Sequence, residues 1–231
     1  MGLGTNDTSY IPRLKVGVTT DEKGRKKSII GMRCKEGDAG AKPVFKKDGT
    51  QALDKDGNGV FRLEYDYIEG RIVKMERSDT DFGSFLEVTI TEGGQSWILQ
   101  LPRGERYWTD FVMRLPMLNL SDPVRLQPYS IENGDGKYNQ GIAMRQHGQK
   151  IDRKWNSANG YEGGPPQAEY NEDEGRWMFG KRHRWLDDNV VTPIMDRLPG
   201  QGSIAPPEPP ADVAPAKVTG GYQEEDDDLT F

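Results

Sequence analysis

Apolar and polar positions alternate through the middle of the chain at the period of a half-buried strand. Phe61, Leu63, Tyr65 and Tyr67 share one side, and the apolar series continues through Ile72, Val73 and Met75. The alternation slips at Ile72 next to Val73, so the spacing predicts one long strand with a bulge near Gly70. After a turn at 79–83, Leu86, Val88 and Ile90 alternate against Phe85, Glu87 and Thr89. The turn Glu92-Gly93-Gly94 leads into a third strand, Trp97-Ile98-Leu99-Gln100-Leu101. The period then changes. Trp108, Phe111, Val112 and Leu115 fall at helical spacing, one face of about three turns, and Pro116 limits the end. Val124, Leu126 and Pro128 alternate again, against Arg125, Gln127 and Tyr129. The hairpin-like loop Asn133-Gly134-Asp135-Gly136 precedes a fifth strand from Tyr138 to about Gln146.

Three strands, a helix and two more strands is the order of an OB fold, a small closed barrel with its helix between strands three and four. The expected fold is therefore mainly β, an OB-like five-stranded barrel over 61–155; an SH3-like barrel or a small sandwich shares the pattern. Residues 1–60 read as a flexible basic arm with short strands. Residues 156–198 read as an extension packing on or near the barrel, with a short helix around 186–198. From 199 to 231 the Pro/Gly-rich composition cannot bury enough apolar surface to order itself, which predicts a disordered linker and tail.

Charge changes the picture once it is divided along the chain. The net charge is −6. Seven acidic residues from Glu208 onward against Lys217 account for all of it, so residues 1–207 balance at 30 basic and 30 acidic groups. Residues 13–47 alone hold 11 basic groups against 4 acidic, including the run Lys23-Gly24-Arg25-Lys26-Lys27. No apolar run approaches the roughly 20 residues that span a bilayer, and the N-terminus lacks the apolar stretch of a secretory signal. The single cysteine, Cys34, excludes an internal disulfide. These features predict a soluble protein of the cytoplasm, the bacterial host's cytoplasm if the chain is phage-encoded.

The most specific segment is the end, Glu224-Glu225-Asp226-Asp227-Asp228-Leu229-Thr230-Phe231. Five consecutive carboxylates keep it solvated, so Leu229 and Phe231 are exposed until a partner covers them. An apolar pocket ringed by basic groups suits such a tip: the ring is buried while the acids supply attraction. Asp226, Asp227, Asp228, Leu229 and Phe231 are the candidate partner-binding residues. Here the chain resembles the bacterial and phage single-stranded DNA-binding proteins, which join an OB domain to a Pro/Gly-rich linker and an acidic, Phe-ended tip. Thr230 stands where the bacterial tip commonly carries Pro, closer to the phage forms. The resemblance implies coating of single-stranded DNA in replication, recombination or repair. It also implies recruitment of a polymerase, helicase, primase or nuclease, with the tail competing for the DNA groove.

Aromatic rings interleaved with cations fit that expectation, because single strands bind by stacking bases along a positive groove. The candidates are Lys74, Arg77, Phe82 and Phe85 at the first hairpin, Arg125 and Tyr129 on the fourth strand, and Trp97 on the third. Arg145, Lys150, Lys154 and Trp155 complete the set at the end of the barrel, with Lys150 inside the turn-like His147-Gly148-Gln149-Lys150. For each ring the core is an equally good destination. The patch 176–185 suits a second DNA contact, a subunit contact in a homo-oligomer, or a cap on the barrel.

Other chemistry finds little support. Asp54-Lys55-Asp56-Gly57-Asn58-Gly59 imitates an EF-hand loop, but Tyr65 stands where the bidentate Glu belongs, so a hairpin turn is expected. No GxxxxGK[ST] occurs, and His147 and His183 lack a nucleophile or metal-ligand spacing. No catalytic residue, metal or cofactor is assigned, and the chain reads as a binding protein rather than an enzyme. Two rivals remain: an adaptor whose barrel binds protein, and a metal-dependent nuclease.

Overall fold

A computed structural model describes residues 11–20, 26–46, 49–81, 83–134, 137–156 and 161–198. Phe82 and the tail residues Asp226, Asp227, Asp228, Leu229 and Phe231 lie outside the described residues. The protein is mainly β. Its first strands are β1 (Arg13–Thr20), β2 (Lys26–Cys34), β3 (Lys42–Pro43) and β4 (Phe61–Tyr65). Three long strands follow, β5 (Ile68–Thr80), β6 (Gly83–Glu92) and β7 (Gln95–Pro102), then helix α1 (Arg106–Arg114). After the helix come β8 (Val124–Glu132), β9 (Tyr138–Gln146) and β10 (Gln149–Ile151). The order from β5 through α1 to β9 is the strand and helix order that the periodicity predicts, but the expected single strand from Phe61 to Met75 is broken after Tyr65: β4 pairs with β2 and β3, and β5 starts afresh at Ile68.

The sheet they form is larger than the expected barrel and is not closed. Ten strands pair in the order β10-β9-β8-β5-β6-β7-β1-β2-β4-β3. The edge of β7 is taken by β1, in a short parallel pairing of Arg13–Lys15 with Ile98–Gln100. The first 60 residues are thus not merely an arm: Leu14 and Ile30 are buried in the common core. The sheet rolls far enough that β2 comes into contact with β8, although the two are not hydrogen-bonded neighbours. At 54–59 the expected hairpin turn forms, with Asp54 accepting the amides of Asp56 and Asn58.

β5 makes the roll. Its residues 68–70 pair with β8 and its residues 71–80 with β6, so the strand changes partner at Gly70. A Cβ at Gly70 would sit 2.8 Å from the Thr91 carbonyl oxygen and 2.8 Å from Ile90 Cγ2. Only glycine permits that approach. Just beyond, the register slips between Ile72 and Lys74, which lets Ile72 and Met75 both face the core.

Helix α1 plugs the open end. Trp108, Phe111, Val112 and Leu115 are all buried, and each large side chain removed from water contributes about 1.5–3 kcal/mol. The C-terminal segment completes the cover. A two-stranded ribbon, β11 (Glu169–Asn171) with β12 (Arg176–Met178), precedes α2 (Gly180–Leu186), a π-helical turn (Asp187–Val191) and α3 (Thr192–Met195). Leu186, Val190, Val191, Ile194 and Leu198 join the same core. The helical segment therefore begins earlier than the predicted 186. Among the described residues no helix is long and apolar enough to cross a membrane.

Gly70→Ala is expected to cost about 1–3 kcal/mol, the usual penalty of forcing an atom into a packed site, read as a lower midpoint in urea unfolding. Gly17→Ala, where a Cβ meets nothing within 4 Å, is expected to stay within about 0.5 kcal/mol of the wild type.

Candidate functional site

Antiparallel pairing places cross-strand partners side by side on one face. Arg125 of β8 stands opposite Arg145 of β9, and Arg145 stands opposite Lys150 of β10. The three cations therefore form a row across three strands, on the side away from buried Val124, Leu126 and Met144. Lys150 was expected inside a turn; the turn is instead the two residues His147 and Gly148, both at positive φ, so Lys150 is already back in register. Arg125 is held by Glu69 at 2.7 Å and lies 4.3 Å above the ring of Tyr67. Lys150 makes a loose contact with Asp152 at 3.7 Å. Arg145 is exposed and has no carboxylate partner among the described residues.

Along β8 the same face runs through Gln127 to Tyr129, and there it enters a cleft of about 420 Å³. The far wall is the start of β2, with Lys26, Lys27 and Ser28; Tyr138 closes one end. Lys26 holds its ammonium 4.6 Å from the Tyr138 ring centroid, and Lys27 pairs with Asp66 at 2.7 Å. Burial, reinforced by the charge of Asp110, raises the pKa of Tyr129 above the ordinary phenol value, so its hydroxyl stays protonated at neutral pH. Two cations, two phenol rings and amide groups thus line the cleft, together with the carboxylates Asp66, held by Lys27, and Glu132, which accepts the Tyr138 hydroxyl at 3.2 Å. Such a surface offers charge for phosphates and flat faces for bases.

Tyr129, one wall of the cleft, is held by a buried carboxylate. Asp110 of α1 is 2% exposed. It pairs with Arg114 at 3.2 Å and Arg153 at 2.5 Å, and it accepts the amide of Ile142 at 2.8 Å and the hydroxyl of Tyr129 at 3.3 Å. A side chain at Gly141 would collide with the Asp110 carboxylate and the Tyr129 ring. The helix is thereby pinned to β8 and β9 at the Tyr129–Gly141 pair.

Several expected contacts lie elsewhere. Trp155 is 6% exposed and meets Trp185 edge-to-face at 5.2 Å, so it is a core ring and not a stacking platform. Lys154 beside it holds its ammonium 5.1 Å from that ring. Trp97 is half-buried against the core, opposite Ile90. Phe85 is half-buried in β6, away from the row. Lys74 pairs with Glu76 at 2.8 Å on another part of the sheet. Arg77 is a clamp: it donates to Thr192 Oγ1 at 2.7 Å and to the Asp187 carbonyl at 3.3 Å. Together with Arg103, which pairs with the buried Asp187 carboxylate, it ties the C-terminal helices to β5 and β7.

Lys26, Lys27, Tyr67 and Tyr138 were missed as individual contacts. The basic run at 23–27 is visible in the sequence, but nothing local signals that Lys26 and Lys27 come to face β8. The chain matches no family model, no curated protein and no solved structure.

Asp110→Ala would leave Arg114 and Arg153 facing each other without their counter-charge. Breaking a buried pair in this way costs about 3–5 kcal/mol, so a large drop in the thermal midpoint is expected. A midpoint within a degree or two of the wild type would contradict the pinning role.

Proposed function

We propose that the protein binds single-stranded DNA on the face of β8–β10 and in the adjoining cleft, largely without sequence preference, during replication, recombination or repair. The observation that carries this reading is the cation row Arg125, Arg145 and Lys150, continuous along β8 with Tyr129 and with the Lys26–Tyr138 cleft. Like charges set directly opposite one another destabilise a sheet; a polyanion laid across them turns that cost into attraction. The OB-like order of β5, β6, β7, α1, β8 and β9 supports the same reading, since that fold commonly presents such a groove.

Phosphate contacts release counterions, so affinity should fall linearly in log–log against salt, by roughly 0.7 per phosphate contacted on a single strand. In fluorescence anisotropy with labelled oligo-dT, the wild type is expected to bind at low salt and to prefer oligo-dT to a matched duplex. Arg145→Ala and Lys150→Ala should each weaken binding and reduce the salt slope by about 0.7. An unchanged slope in the double variant would remove the row from the interface. No binding of oligo-dT by the wild type favours the adaptor reading, and loss of the oligonucleotide on adding Mg²⁺ or Mn²⁺ favours a nuclease.

The acidic end supplies the second half of the proposal: Asp226, Asp227, Asp228, Leu229 and Phe231 recruit a replication or recombination protein. Truncation of residues 224–231 is expected to leave oligo-dT affinity unchanged or higher, because the deleted carboxylates compete with phosphate. Weaker DNA binding by a truncated protein with an unchanged thermal midpoint would count against it.

A further inference from the structure

A second cleft, of about 570 Å³, opens between α1, the start of β9 and α2. It adjoins the first one directly. Arg106 donates to the carbonyl of Tyr138, the hydroxyls of Tyr107 and Ser28 share a hydrogen bond at 2.7 Å, and Tyr129 reaches Asp110. Each of these contacts joins a residue of one cleft to a residue of the other.

Its charges are unevenly spent. The lining carries three guanidinium groups, Arg106, Arg153 and Arg182, against the carboxylates of Glu105 and Asp110. Asp110 is already occupied by Arg114 and Arg153. Arg182 is left with a methionine sulfur, Met113 Sδ at 3.2 Å, and the face of Tyr161 at 5.9 Å. Sulfur is a weak acceptor. The Arg182 Nε is buried with no acceptor, and among the described residues no carboxylate pairs with this side chain. An arginine stays charged in proteins, so a half-buried guanidinium with no counter-charge is a standing cost that an anion at its terminal nitrogens would lower.

Beside it stands a flat platform. Phe179 is exposed and lies nearly parallel to the ring of His183, at 5.9 Å and 13°. Burial, with the charges of Arg103 and Arg182 adding to it, lowers the pKa of His183. The imidazole is therefore neutral at pH 7, and its ring backs Phe179 without adding charge.

We infer that this cleft takes a phosphodiester on Arg182 and the neighbouring base on Phe179, and that both belong to the strand already lying across β8–β10. The inference rests on the single-strand reading and extends it: the path turns past Tyr138 and ends against α2. A phosphate ester carrying a base is also the chemistry of a free mononucleotide, so the test uses both sources.

The probes are labelled oligo-dT of about 16 nucleotides, the upper end of what one such fold covers, and dTMP. The variants are Arg182→Met, which keeps most of the side-chain volume, and Phe179→Ala, which removes an exposed ring. Each variant is expected to weaken oligo-dT binding about five- to tenfold at low salt. Arg182→Met, but not Phe179→Ala, should also lower the salt slope by about 0.7. Thermal unfolding checks that both remain folded, and Phe179→Ala keeps the question open to measurement if Arg182→Met does not fold. If both variants bind oligo-dT as the wild type does, the strand does not enter this cleft, while the row on β8–β10 stands. If only dTMP binding is lost, the cleft serves a free nucleotide and the shared path is overturned. If the wild type binds no oligo-dT at all, the single-strand reading fails and this inference fails with it.

Discussion

A single buried carboxylate holds the candidate surface in shape. Asp110 faces two guanidinium groups, a backbone amide and a phenol, which is close to the full acceptor capacity of a carboxylate. Its partners come from α1, β8, β9 and the segment after β10, so one residue fixes the angle at which the helix meets the far strands of the sheet. Apolar packing alone would not specify that angle, because hydrophobic burial is non-directional. Directionality comes from the hydrogen bonds, and Gly141 is needed so that nothing stands in their way. Both clefts inherit their walls from this arrangement: Tyr129 bonds to it from one side, while Arg153 enters it from the other.

What was legible in the sequence is what depends on local period. The strands β5 to β9, the helix face Trp108–Phe111–Val112–Leu115 and the bulge after Gly70 all follow from where apolar residues recur. β1 was equally periodic, with Leu14, Val16 and Val18 on one side, but its lysines and glycines favoured an arm in the reading of charge. Its parallel pairing with β7 is a contact between residues more than 80 positions apart, and no local signal encodes such a pairing. The sheet stays open because β1 occupies the β7 edge.

The candidate site was legible in part, for a related reason. Arg125, Tyr129, Arg145 and Lys150 lie on strands whose alternation reveals their outward side, and antiparallel register then brings three of them into line. Arg77 and Trp155 have the same composition around them as true surface contacts. They were absorbed by the C-terminal segment, Arg77 by Asp187 and Thr192, Trp155 by Trp185. A cation and a ring on a strand end look alike whether they await a ligand or a later part of the chain. Only the position of residues 161–198 decides between the two.

The cation row has a plainer explanation that must be weighed against ligand binding. β10 is an edge strand of the ten-stranded sheet, and a lysine on an edge deters pairing with another chain. At the opposite edge β3 consists of Lys42 and Pro43, two residues that serve this purpose well. Edge protection therefore accounts for Lys150. It does not account for Arg145, one strand in, or for Arg125, two strands in, where both edges of the strand are already paired. Interior positions opposite one another are where a sheet gains most from opposite charges and loses from like ones. Glu69 relieves Arg125 from the next strand, yet nothing comparable reaches Arg145 among the described residues. The cost is thus concentrated at the middle of the row, beyond the reach of any requirement of the edge, and an external anion is the group whose arrival would lift it.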